Sequence, residues 1–242
     1  MKSKNELKEI MHSHSERVSK MKLPILLGVD SRNNPKIVDL AKVRHILVGG
    51  ATGQGKTNLL HAFAKSIYSA PQKVFEGCFV TYIDPKGLDG NRPYFDSYLT
   101  SLEDFREELE MLCDKIEMLM SNPMLSFPRN MVLIDDFDFL VMNDKGFGEM
   151  LIYIAERGHL VGVHLVAASI PVSWKVFSGR LKANMPTRIC FRITDKSQSR
   201  LVLDTPDATS LSRQGEMFFS HNLKLTRLQT INVIDNNGEE NF

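Results

Sequence analysis

Eight residues, Gly50-Ala51-Thr52-Gly53-Gln54-Gly55-Lys56-Thr57, keep the spacing GxxxxGK[ST], and the chemistry of that spacing is phosphate capture. Glycines let the chain fold back so that its N–H groups face α- and β-phosphate oxygens, aided by the positive end of the helix that follows. Lys56 is expected to reach the β- and γ-phosphates, and the Thr57 hydroxyl to hold Mg²⁺. A second constellation, Met131-Val132-Leu133-Ile134-Asp135-Asp136, ends an apolar run in two carboxylates. Asp135 is the expected Mg²⁺ ligand; Asp136 is the expected group that orients or deprotonates an attacking water. Alone, a strand ending in Asp-Asp is a common loop start. In a chain that also carries a phosphate loop, it reads as the rest of an ATP site, with Lys56 and Asp136 as the catalytic candidates and ATP and Mg²⁺ as cofactors.

Other residues are weaker signals. Ile83-Asp84-Pro85-Lys86 reads as an acidic-proline turn. From Trp174 to Arg200, seven basic residues stand against the single acid Asp195, a local net charge of +6. A segregated excess of this kind is the footprint of phosphate-backbone contacts, although a solvated face gives the same pattern. His45 and His164 adjoin apolar runs and read as satisfied core histidines, and His12 with His14 lack a ligand set. The methionines fall mostly within apolar stripes, where core filling is the default.

These residues need a scaffold. Short β-branched runs at His45–Val48, Phe79–Ile83, Met131–Ile134, Val163–Ala167 and Arg188–Ile193 alternate with longer segments of helical character. That alternation predicts an α/β fold: a mainly parallel sheet with helices on both faces. A helix is predicted from Asn58 to Ser69, and the clearest within Leu102–Met120, where Leu102, Phe105, Leu109, Leu112, Ile116, Leu119 and Met120 make one stripe and Asn122-Pro123 ends it. Residues 1–22 read as a short amphipathic arm, 23–234 as the ATPase domain and 235–242 as a polar tail.

The 242 residues carry 30 Lys+Arg against 29 Asp+Glu and are 43% hydrophobic, which excludes a disordered chain and gives no global attraction to nucleic acid. Cys78, Cys113 and Cys190 are odd in number and widely spaced, so neither a disulfide framework nor a zinc site is indicated, and a cytoplasmic setting fits. No apolar run reaches the ~18 to 20 residues of a membrane span.

With these motifs in order, the sequence resembles the motor domain of the FtsK/SpoIIIE family of DNA translocases. The likeness runs from about Leu23 to Val233: Asp39-Leu40-Ala41-Lys42, the phosphate loop, Ile83-Asp84-Pro85-Lys86, Asp135-Asp136, Gly162-Val163-His164-Leu165, Leu181-Lys182-Ala183-Asn184-Met185-Pro186-Thr187-Arg188, Ser199-Arg200 with Leu203-Asp204, and Gly215-Glu216-Met217. The resemblance implies a RecA-like P-loop NTPase that assembles as a hexameric ring around double-stranded DNA, with nucleotide between neighbouring subunits. It adds Arg180, Lys182 and Lys145 as expected DNA contacts. Three departures stand out: Asp136 replaces the family's Glu, Ser169 takes the position of a sensing Gln, and Gly158-His159 stands where relatives carry Gly-Arg. Nothing after Val233 resembles the family's winged-helix domain and nothing before Leu23 a membrane anchor, so a stripped motor is expected. The alternatives are a nucleotide-binding assembly protein with slow or no hydrolysis, and a conjugative coupling or secretion ATPase.

Overall fold

The run Met131–Ile134 alternates in a way that fixes its surroundings. Val132 and Ile134 join one apolar cluster, Met131 and Leu133 another, and all four are fully buried. A strand lined on both faces must lie in the middle of a covered sheet. The computed structural model describes residues 6–71, 74, 77–170, 179–222 and 224–234; the expectations for Trp174, Lys175 and the tail 235–242 lie outside them.

The sheet has ten strands: β1 (Pro24–Val29), β2 (Pro35–Asp39), β3 (Ile46–Gly49), β4 (Cys78–Ile83), β5 (Ser97–Leu99), β6 (Arg129–Ile134), β7 (Val163–Ser169), β8 (Thr187–Phe191), β9 (Glu216–His221) and β10 (Lys224–Gln229). Their order is β2-β1-β10-β9-β8-β3-β7-β6-β4-β5. From β8 to β5 every neighbouring pair is parallel, and from β8 to β2 every pair is antiparallel. The α/β expectation holds, and the five predicted strands are the five central parallel ones. The antiparallel half has no counterpart in the sequence expectation.

Nine α-helices are described: α1 (Glu6–Ser13), α2 (Ser15–Val18), α3 (Leu40–Val43), α4 (Lys56–Tyr68), α5 (Leu102–Ser121), α6 (Phe137–Asn143), α7 (Lys145–Arg157), α8 (Gly179–Asn184) and α9 (Lys196–Leu203). Helix α4 covers one face through Leu59, Leu60, Phe63 and Ile67. Helices α5 to α7 cover the other through Phe105, Leu109, Ile116, Phe137, Leu140 and Leu151. Ser101 caps α5 by accepting from the Asp104 amide at 3.1 Å, as an N-cap serine should. The amphipathic segment before Leu23 does not project. Leu7, Met11 and Val18 are buried against Leu26, Val29, Ile37 and Ala62, forming a third cluster at the antiparallel edge.

Candidate active site

Strands β3, β4, β6 and β7 end on the same side of the sheet, and a parallel sheet presents its ligands there. After β3 the chain turns through Gly50–Gly55 into α4. Gly53 and Gly55 hold φ of +72° and +113°, a region that suits glycine. Gly50 is required for a different reason, because a Cβ there would lie 2.7 Å from the Cβ of Phe191. The loop is also tied from outside. The Ala51 amide donates to the Arg192 carbonyl at 3.1 Å, the Gly215 amide to the Gln54 carbonyl at 3.0 Å, and the Gln214 side chain to the Gly53 carbonyl at 2.8 Å.

Lys56 is buried, and its ammonium donates to the carbonyls of Gly50 and Ala51 at 3.0 and 3.2 Å. Burial lowers its pKa, while the charges of Asp135, Asp136 and Asp138 act in the opposite direction. The Thr57 hydroxyl donates to Asp135 Oδ2 at 2.5 Å. Asp135 follows β6, is buried, and titrates at about 6 because burial outweighs the Thr57 hydrogen bond, with Asp136 and Asp89 adding negative charge. A hydroxyl and a buried carboxylate in contact, with further carboxylates near, make a site short of positive charge. That donor set fits Mg²⁺, which favours oxygen ligands, and the loop fits the phosphates it would bridge.

Asp136 stands at φ +45° as the N-cap of α6. Its carboxylate forms an ion pair with Lys86 at 2.6 Å, which raises the Lys86 pKa. By sequence Lys86 belongs only to an acidic-proline turn; its partner lies fifty residues away, and the parallel pairing of β4 with β6 brings them together. Asp84 organises that turn, accepting from the amides of Lys86 and Asp89 and from the Tyr98 hydroxyl. Ser169, at the end of β7, donates to Asp138 at 2.5 Å.

The structure thus brings together Gly50–Thr57, Asp135 and Asp136, and adds Lys86, Asp138 and Ser169. The expected DNA contacts lie apart from them. Lys182 is buried on α8, donating to Asp204 at 2.9 Å, and Asp204 also binds Arg188. Its ammonium is thus engaged by a carboxylate that is itself largely exposed. Arg180 is exposed, yet forms a two-pronged pair with Glu156 at 2.7 and 3.1 Å. Lys145 is exposed at the start of α7.

Among solved structures, the pCW3 conjugation coupling protein TcpA, in a monomer form with ATPγS, superposes with a TM-score of 0.77 at 20% identity over 90% of this chain and 68% of its own. The cytoplasmic domain of the Thermomonospora curvata type VII secretion ATPase EccC gives 0.69 at 22% identity over 88% of this chain and 29% of its own. These neighbours establish the P-loop ATPase fold. DNA translocases FtsK of Treponema pallidum and Helicobacter pylori are 28% and 30% identical over 88% of this chain and 30% and 28% of their own lengths, and SftA of Bacillus subtilis is 28% identical over 90% of this chain and 25% of its own. The chain spans less than half the length of the curated relatives it matches. The family match itself covers residues 6–174, more than half of the chain, and takes in the phosphate loop and both strand-end aspartates, so the chain belongs to the FtsK/SpoIIIE family.

Proposed function

We propose that this chain is a cytoplasmic ATPase motor that acts on double-stranded DNA as a ring-shaped homo-oligomer of six subunits. The observation that carries the ATPase part is the 2.5 Å contact between Thr57 and Asp135, with the Lys56 ammonium on the adjoining loop. In this reading Lys56 holds the β- and γ-phosphates, Thr57 and Asp135 hold Mg²⁺, and the amides of Gly50–Thr57 cradle the phosphate chain. Bound Mg²⁺-ATP supplies a γ-phosphoryl group open to in-line attack by water. Asp136, whose Oδ2 is held by Lys86, would orient that water and take up its proton as the water oxygen bonds the γ-phosphorus and ADP leaves with the electrons of the broken P–O bond. The named DNA translocase relatives support DNA as the substrate, taken here as duplex, and Lys145 and Arg180 are the exposed cations assigned to its phosphates.

A second reading, an assembly protein with slow hydrolysis, is favoured by one specific pair of contacts: Asp136 is held by Lys86, and Ser169 by Asp138. The neighbours named for conjugation and secretion supply a third, in which the substrate is nucleoprotein or protein. Steady-state ATP hydrolysis measured with and without duplex DNA separates the first two. Stimulation by duplex, together with a ring mass in the presence of ATP and DNA, supports the motor. Tight ATP binding with negligible turnover under both conditions replaces it with the assembly protein.

A further inference from the structure

At the opposite end of the sheet, a cavity of about 510 Å³ opens beside the amino ends of β6 and β7. It lies between the last turn of α5 and the short 3-10 turn Gly158–Leu160. Its ionisable lining is Lys22, Arg129, His159 and His164, with no carboxylate. Asp39, whose charge reaches His164, instead accepts from the backbone amides of Lys22, Leu23 and Ala41. Among the described residues neither Lys22 nor Arg129 has an ion-pair partner. The Arg129 stem lies over Gly162, where φ is +88° and an added Cβ would sit 3.0 Å from Arg129 Cγ.

The imidazoles beside this cavity are also underused. The Leu165 amide donates to His45 Nδ1 at 2.9 Å, which leaves the proton on Nε2, and that buried atom has no partner. His159 Nδ1 is likewise buried and unpartnered, with its ring edge-on to His45 at 5.7 Å. Unmatched polar atoms of this kind call for an explanation. Two cations, Lys22 and Arg129, with imidazole donors and no lining acid around one concavity, make a site for negative charge.

The mouth has the other half of an amphipathic site. Met120, Leu125, Phe127 and Leu160 are 40–64% exposed, and large apolar groups gathered at one place on a surface mark interaction. Phe127 is held there by Lys115, whose ammonium lies 5.4 Å from the ring centre and donates to Asn130 at 2.6 Å. We propose that this cavity docks a short acidic segment of a partner protein, with a carboxylate on Arg129 and His159 and a large apolar side chain on the Phe127–Leu160 rim. A flat bilayer cannot reach cations on the floor of a concavity, and a free inorganic anion would leave the rim uncovered. The volume suits a few side chains. None of this depends on the nucleotide chemistry at the other end of the sheet.

The test is retention of the full chain on an arrayed library of eight-residue peptides that varies acidic and apolar content independently. Retained peptides should pair Asp or Glu with Phe, Leu or Met, and replacing their acids by amides should weaken binding at least tenfold. Leu160→Asp, at an exposed site, and Arg129→Gln should each cost a similar factor while nucleotide binding and the thermal transition stay as in the parent. If Arg129→Gln fails to fold, Lys22→Gln takes its place. No retention, retention without acidic bias, or retention unchanged by the variants overturns the proposal. So does a change in oligomeric mass in these variants with peptide retention unchanged, since the face is then a subunit contact.

Discussion

The two ends of the parallel sheet are built from the same strands and carry opposite chemistry. At the carboxyl ends, Asp135, Asp136 and Asp138 surround Lys56 and Lys86, and burial pushes Asp135 up to about 6. At the amino ends His45, His159 and His164 sit with Arg129, and burial, reinforced by Arg129 and His159, holds His164 down to about 4. Both ends are therefore kept from their ordinary protonation behaviour by the same desolvation, acting on groups of opposite charge type. One end calls for a cation and the other for an anion.

The strongest way to break this comparison is at the phosphate loop. Lys56→Ala should lower ATP affinity or turnover by at least roughly a hundredfold, because the loop backbone survives but its buried charge does not. A folded variant with unchanged nucleotide titration and hydrolysis would remove the assignment.

The pH dependence of stability sharpens it. His164 titrates near 4 when folded against 6.5 ordinarily, so its contribution is full above pH 6.5 and is lost as pH falls toward 4. Asp135 runs the other way: its folded value, about 6, stands above the ordinary 3.8, so stability is gained as pH falls from 6 to 4. Each amounts to roughly 3 kcal/mol over its window. Relative to the parent, Asp135→Asn should make the nucleotide-free protein more stable at pH 7 and more acid-sensitive, while weakening Mg²⁺ dependence. His164→Gln, whose amide can still donate to the Arg44 carbonyl, should make it less acid-sensitive. Denaturant midpoints across pH 4–7.5 read both, and parallel curves for parent and variants would refute the pairing of signs.

A smaller effect is expected at the Lys182–Asp204–Arg188 ion pairs. Lys182→Ala should cost about 1 kcal/mol of stability, because the exposed Asp204 is screened by solvent and keeps Arg188, and should leave the salt dependence of DNA binding unchanged; a flattened slope would support Lys182 as a phosphate ligand. The smallest effect belongs to Lys145 and Arg180. Replacing both with alanine should flatten log affinity against log salt by roughly 0.9 for each phosphate no longer neutralised, as read by anisotropy on duplex DNA, and an identical slope would return these residues to the solvated surface.

What the sequence revealed and what it hid follow one physical line. The five central parallel strands were legible because burial on both faces makes them continuous apolar runs, whereas the short, half-buried edge strand β5 was not; the phosphate loop was legible because its backbone geometry demands glycines at fixed spacing. Strand β10 was not, since Lys224, Leu225 and Arg227 are exposed and its place is set by pairing with β9 and β1. Lys182 reads as surface charge in any local window, and its partner Asp204 lies twenty-two residues on. Lys86 and the unpartnered nitrogen of His45 were hidden for the same reason. The reading of His45 as a satisfied core histidine holds for one of its two nitrogens and fails for the other.

The ties on the phosphate loop have a mechanical meaning. Gly50 rests against Phe191, Ala51 is bonded to the strand end at Arg192, and Gln54 and Gly53 are fastened to the turn at Gln214-Gly215. The Gly215 carbonyl in turn accepts from the Thr230 amide at 2.9 Å, just beyond β10. A loop anchored at these points can shift only by breaking those bonds or by moving its anchors with it. A displacement of it would pull first on the turn that leads into β9 and on the end of β10, which makes the antiparallel half of the sheet the part of the fold most directly tethered to the loop.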